Sequence, residues 1–198
     1  MQEISDSFET GLATCTSKIL DLLEISSTPI VLIDGPGASG KSTFAQKLQD
    51  EIFRSTQLAP RIIHMDDLYP GWEGLAAGSR YLHDQILFPL QSKKRADYQI
   101  WDWEQNQRGS TVEPGNGWRH FDGGNLLIVE GCGSLSKQTS EFADLRIWLD
   151  ANREVRKQRW HNRDSGTFDE YFNSWELQES EFFQANDSQA LADIVLTS

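Results

Sequence analysis

The residues with the plainest chemical purpose stand in one run, Gly35-Pro36-Gly37-Ala38-Ser39-Gly40-Lys41-Ser42-Thr43. The spacing Gly-x-x-x-x-Gly-Lys-Ser, set between an apolar segment and a helical pattern, is that of a phosphate-binding loop. Its glycines let the backbone curl so that successive N–H groups point inward as a nest for an anion. The helix that follows turns its positive dipole end toward the same place. Lys41 would reach the β- and γ-phosphates of a bound nucleotide, and the Ser42 hydroxyl would ligate Mg²⁺. The alternative, a glycine turn that only links strand to helix, is opposed by the agreement of every position and of both flanks.

Three further groups could share that site. Glu130 closes the apolar run "NLLIV" and precedes Gly131, which places it at the carboxyl end of a predicted strand, the edge where ligands bind in open α/β sheets. An acid there can hold a water of the Mg²⁺ shell; the plainer reading is a strand-end carboxylate facing solvent. Asp66 and Asp67 follow another short strand in "IIHMDDLYPGW". An acid at that point could accept the proton of an attacking hydroxyl, or the pair could open a turn or cap a helix. Ser42, Glu130 and Asp66 form the candidate metal set. Lastly, Arg153, Arg156, Lys157, Arg159 and Arg163 hold five of the eighteen Lys and Arg. Arg156, Arg159 and Arg163 fall on one side of a helix, where they require an anion or a set of carboxylates between them.

The elements that must position these groups alternate between strand and helix. Apolar residues at 8, 12, 15, 19 and 22 predict an added amphipathic helix from Phe8 to Leu22, within an N-terminal addition spanning 1–25. Strands are expected at Pro29–Asp34, Arg61–His64, Asn125–Glu130, Leu145–Leu149 and Asp193–Leu196. Helices are expected from Gly40 to about Ser55, Tyr81 to Leu90, Glu154 to Asp164 and Phe168 to Phe183. The stretch "MDDLYPGWEGLAAGS" reads as a Gly-rich loop, and the Trp-rich segment of about 97–122 as a hairpin-like insertion. Such alternation predicts an α/β three-layer sandwich, a P-loop fold with a mostly or fully parallel sheet flanked by helices. One domain over 1–198 suits the length, and the resemblance described below implies a lid at about 153–168.

Composition narrows the function. A formal net charge of −12 argues against non-specific nucleic-acid or membrane binding. No apolar run approaches a membrane span, and the start lacks the features of a signal peptide. Cys15 and Cys132 show neither metal-ligand spacing nor a disulfide framework, which fits a reduced, cytoplasmic setting.

The phosphate-binding loop, "HMDDLY", Trp101-Asp102-Trp103, "IVEG" and the basic helix occur in an order that resembles the uridine kinase-like family and its nicotinamide riboside, pantothenate and phosphoribulo- kinase relatives. The match runs from Ile30 to Leu196. The resemblance implies an ATP- and Mg²⁺-dependent phosphotransferase acting on a hydroxyl of a small metabolite, a nucleoside or nucleoside-like compound. It implies Asp66 as the base, Glu130 at the metal and Arg156, Arg159 and Arg163 as lid arginines, with Arg159 and Arg163 the preferred phosphate contacts. The family's acceptor unit falls on Trp101, Asp102, Trp103 and Arg108. Tyr69, Trp72, Arg80, Trp101, Asp102 and Arg108 are therefore the candidate acceptor contacts.

The chain also departs from that pattern. Asn106 stands where uridine kinases carry a His, and an extra Gly-rich piece with Trp118 lies between Arg108 and Glu130. Trp72, Trp101, Trp103 and Trp118 could stack on a planar ring or form a local core. His64 receives no role, and Cys132 reads as a small buried side chain. Two other readings stand beside the leading one. The loop is also similar to that of cytidylate kinases, so a nucleoside monophosphate kinase would need Arg80, Arg95 and Arg108 for its acceptor. A nucleotide-dependent switch working through a protein partner would leave Asp66 and the Trp-Asp-Trp unit unexplained. Homodimer formation is left open.

Overall fold

The computed structural model describes residues 2–198, with side chains described from Phe8 onward. Helix α1 (Gln2–Ile25) precedes strand β1 (Ile30–Asp34), helix α2 (Lys41–Thr56) and strand β2 (Arg61–His64). Helix α3 (Leu75–Leu82) then runs through a π-helical turn, His83–Leu87, into α4 (Phe88–Gln91). Strands β3 (Ala96–Gln99), β4 (Trp101–Asp102), β5 (Gln107–Arg108) and β6 (Trp118–Phe121) follow. Next come β7 (Leu127–Glu130), β8 (Leu145–Asp150), α5 (Arg153–Arg163), α6 (Phe172–Asn186) and β9 (Ile194–Thr197).

Five strands form one parallel sheet in the order β2-β7-β1-β8-β9. Alternation along each strand feeds two separate cores, as side chains on successive residues must point to opposite faces. Val31, Ile33, Ile128 and Ile147 pack with Leu12, Cys15 and Ile19 of α1 and with Phe44, Leu48 and Ile52 of α2. Ile30, Leu32, Leu127 and Val129 face the other way, toward Leu75, Leu82, Trp160, Phe172 and Trp175. Helices thus cover both faces, and the three-layer α/β architecture expected from the sequence is the one observed.

Two expectations need correction. The segment 65–79 is not all loop: Met65–Asp67 forms a short 3-10 turn and α3 begins at Leu75. Gly78, which lowers helix propensity and so hides this start, is buried where a Cβ would meet the Tyr69 ring at 2.5 Å. Close packing there outweighs propensity. The long helix placed from Phe168 begins only at Phe172, after a 3-10 turn at Asp169–Tyr171. The Trp-rich segment holds two nested antiparallel pairs, β3 with β6 and β4 with β5.

Candidate active site

The register sets the site. Glu130 pairs with Ile33 of β1 on one side and with His64 of β2 on the other, so three strands end level. The loop after β1 turns through Gly35, φ 140°, and Gly40, φ 101°, where side chains are disfavoured. A Cβ at Gly35 would also overlap the Leu149 carbonyl. Helix α2 then opens at Lys41, and its first-turn N–H groups have no partner within the helix.

Lys41 is buried, and its Nζ donates to the carbonyls of Gly35 and Pro36, 2.8 Å each, and lies 3.6 Å from Cys132 Sγ. Burial works against its charge, yet the carboxyl groups of Glu179, Glu130 and Asp34 help to carry its pKa above the ordinary lysine value. The Ser42 hydroxyl donates to Glu130 Oε1 at 3.0 Å, and His64 Nδ1 lies 2.5 Å from the same oxygen. A hydroxyl beside a buried carboxylate suits Mg²⁺, which takes one or two protein oxygens and completes its shell with phosphates and water. Among the described residues no group of three or more His, Cys, Asp and Glu could hold a metal ion.

The two adjacent aspartates part company. Asp66 keeps an exposed surface, yet the protein packed around it and the Glu130 charge raise its pKa, and Arg163 and Lys41 oppose the rise. For Asp67, burial raises the pKa, and the charges of His64 and Arg119 oppose the rise. Trp103 Nε1 donates to the Asp66 backbone carbonyl at 2.9 Å, which ties the β4–β5 hairpin to this point.

Helix α5 opens with Asn152, whose side chain accepts the Glu154 N–H at 2.9 Å and caps the first turn, worth about 1 kcal/mol. Its cations divide. Arg153 pairs with Glu176, and Arg156 is buried between Glu176 at 3.0 Å and Glu179 at 3.9 Å. Arg159 donates to the Ser39 carbonyl at 3.2 Å and to Ser198 Oγ at 2.8 Å, so it touches the phosphate-binding loop directly. Arg163 pairs with Asp164 and lies over Trp160.

The candidate acceptor contacts are placed unevenly. Tyr69 is buried, its hydroxyl donating to the Cys132 carbonyl at 2.7 Å, and so belongs to the core. Arg108 turns inward: it donates to the carbonyls of Leu68 and Gln99 and lies 3.6 Å from the Tyr81 ring. Asp102 accepts the N–H groups of Glu104 and Gln105 and shapes the hairpin turn. Trp101 is half-buried near Arg108, and Arg80 is exposed with no hydrogen bond or ion pair among the described residues. Trp72 stacks on Tyr171 at 4.3 Å and 5°, with Trp103, Trp160, Phe168 and Trp175 around it. Trp118 is exposed on β6, apart from that cluster.

Two functional neighbours escaped sequence reasoning. Asp34 is fully buried and accepts the N–H groups of Gly35, Gly133 and Leu135, joining the loop after β1 to the loop after β7. Burial pushes its pKa up to about 7, against those three bonds. Glu179 of α6 is buried as well, and accepts the Gly37 N–H at 2.7 Å. It shares a face with Phe172 and Trp175, and an acid at an apolar position of a helix was the available signal.

No family model and no curated protein sequence matches the chain. Its fold is shared with solved structures. A Bacillus stearothermophilus protein described as a possible uridine kinase superposes with a TM-score of 0.64 at 18% identity, over 98% of each chain. A candidate fructose transport system kinase from Silicibacter sp. TM1040 gives 0.61 at 18%, over 93% of this chain and 98% of the other. D-glycerate 3-kinase from Cryptococcus neoformans gives 0.52 at 13%, over 87% and 88%. The P-loop kinase fold implied by the sequence resemblance is the fold of these proteins.

Proposed function

We propose that the chain is an ATP-dependent phosphotransferase that moves the γ-phosphoryl group to a hydroxyl of a small metabolite, a nucleoside or nucleoside-like compound. The observation that carries this reading is the level ending of three strands, which sets Ser42 and Glu130 in contact beside the phosphate-binding loop and Asp66 two residues beyond the β2 residue that pairs with Glu130. The names of the three fold neighbours, a uridine, a fructose transport system and a glycerate kinase, share hydroxyl-bearing compounds.

In this reading the N–H groups from Ala38 to Thr43 cradle the phosphates, and Lys41 leaves the Gly35 and Pro36 carbonyls to meet them. Ser42 and Glu130 would hold Mg²⁺, which when bound offsets charge on the phosphate oxygens. Asp66 orients the acceptor hydroxyl and takes its proton as the O–P bond forms. Arg159, which touches the phosphate-binding loop at Ser39, and Arg163, one turn further along α5, act as parts of a lid formed by α5 and the residues after it, neutralising charge on the transferred group and excluding water. Arg156 serves as the anchor of that lid. Of the three arginines a monophosphate acceptor would need, Arg95 is paired with Asp97 and Arg108 is spent on backbone carbonyls, which leaves Arg80 alone and favours an acceptor without a phosphate.

Thermal unfolding with a non-hydrolysable Mg-ATP analogue, across nucleosides, monophosphates, vitamins and sugar acids, tests the proposal. A ligand bound only to the folded state raises the midpoint. The expected result is a rise with nucleotide and a second rise with one unphosphorylated acceptor class. A nucleotide shift with no acceptor response would contradict it.

A further inference from the structure

Gly37 lies in the middle of the phosphate-binding loop, and both of its peptide groups are taken up from outside the loop. Its N–H donates to Glu179 Oε1 of α6 at 2.7 Å, and its carbonyl accepts Arg156 Nη1 of α5 at 3.4 Å. Glu179 and Arg156 approach each other at 3.9 Å, and both are buried. Cys132, in the loop after β7, donates its S–H to the same Glu179 oxygen at 3.1 Å. Burial, with the Glu179 charge beside it, pushes the thiol pKa well up, so the sulfur is a donor and not a thiolate. One carboxylate therefore joins the cradle to α5, α6 and the loop after β7.

A carboxylate is an unexpected guest in a loop built for anions, since its charge opposes phosphate binding. Its position explains why it is tolerated. It consumes the Gly37 N–H and balances Arg156, while the N–H groups that open α2 remain free. We propose that Glu179 is a positioning residue that fixes the phosphate-binding loop and ties its shape to the root of the lid helix, and so sets nucleotide affinity. The proposal rests on the phosphotransferase reading above. What matters is the length and acceptor atom of the side chain, not its charge.

Two substitutions separate these properties. E179D keeps the charge and withdraws the acceptor from Gly37; E179Q keeps the reach and an acceptor oxygen and loses the charge. The affinity of each protein for a Mg-ATP analogue is measured by titration, and amide hydrogen exchange of residues 36–39 is measured without nucleotide. E179D is expected to weaken binding about tenfold, since it leaves a buried donor without its partner, and to speed exchange. E179Q is expected to stay within about threefold of the parent and to leave exchange slow. E176Q, which alters the other partner of Arg156 without touching Gly37, should bind like the parent. Parental affinity in E179D, or equal losses in E179D and E179Q, would overturn the proposal, as would an equal loss in E176Q. Should E179D not fold, G37A breaks the bond from the loop side, because its Cβ would stand 2.9 Å from Glu179 Oε1; unchanged affinity there would overturn it too. If the parent binds no nucleotide, the phosphotransferase reading falls, and exchange at Gly37 still reports whether Glu179 holds the loop.

Discussion

The indole N–H of Trp103 donates to the backbone carbonyl of Asp66 at 2.9 Å. The hairpin that carries Trp103 thereby fixes the backbone of the residue assigned as the base. Asp66→Asn removes the proton acceptor and leaves the cradle untouched, so turnover should fall by about 10²-fold or more while nucleotide binding persists. Trp103→Phe deletes only the tie and should cost less, in turnover more than in nucleotide affinity. Steady-state rates beside a binding titration check both, and unchanged turnover in the asparagine variant would remove Asp66 from the mechanism.

The arginines of α5 should divide as their partners do. Arg159→Ala and Arg163→Ala remove charge from the cradle side and are expected to lower turnover by about 10²-fold with little change in unfolding temperature. Arg156→Ala instead strands the buried Glu179, while Glu176 keeps Arg153, and breaking a buried pair of this kind costs about 3–5 kcal/mol. Calorimetry and kinetics on the three variants should therefore give opposite rankings. Identical behaviour of Arg156→Ala and Arg159→Ala would refute the division.

Glu130 supports the metal requirement. Its Oε1 accepts the Ser42 hydroxyl at 3.0 Å, so the two side chains that would hold Mg²⁺ are in direct contact. Glu130→Gln keeps the hydrogen bond and loses the charge. The concentration of Mg²⁺ at half-maximal turnover should rise severalfold, with saturating metal restoring part of the rate. A metal requirement equal to that of the parent would count against this assignment.

Asp34 makes stability depend on pH in a defined sense. Its folded pKa is about 7, against an ordinary value of 3.8, so between those values the folded chain keeps a proton that the unfolded chain has lost. Stability from this group is complete below about pH 4, declines as pH rises and is gone above about pH 7, with a slope of at most about 1.4 kcal/mol per pH unit. Asp34→Asn mimics the protonated form, so the variant should lose that part of the slope. Urea midpoints at several pH values measure the difference between the two proteins. Glu179, also shifted upward, adds a slope of the same sign to both.

The parallel sheet and the cradle were readable because each rests on local signals: apolar runs ending in acids, and glycines spaced about a lysine. Arg61–His64 and Lys41–Thr56 follow from such signals almost to the residue. The start of α3 was not readable, since Gly74 and Gly78 speak for a turn and only contact with Tyr69 makes a helix there. The aromatic residues were grouped by type in the sequence, whereas the fold places Trp72 and Trp103 with Trp160 and Tyr171 and leaves Trp118 outside. Glu179 lies 142 residues from Gly37, and no local pattern encodes a partnership across that distance.

The central claim is that phosphate leaves this cradle for an organic hydroxyl. The most direct measurement supplies ATP labelled in its γ-phosphate, with Mg²⁺ and a panel of nucleosides, sugars and hydroxy acids, and follows the label. Transfer into one class of acceptor as a phosphate ester, abolished in Asp66→Asn, is the predicted result. Label recovered only as inorganic phosphate, at a rate indifferent to every acceptor and to Asp66, would contradict it.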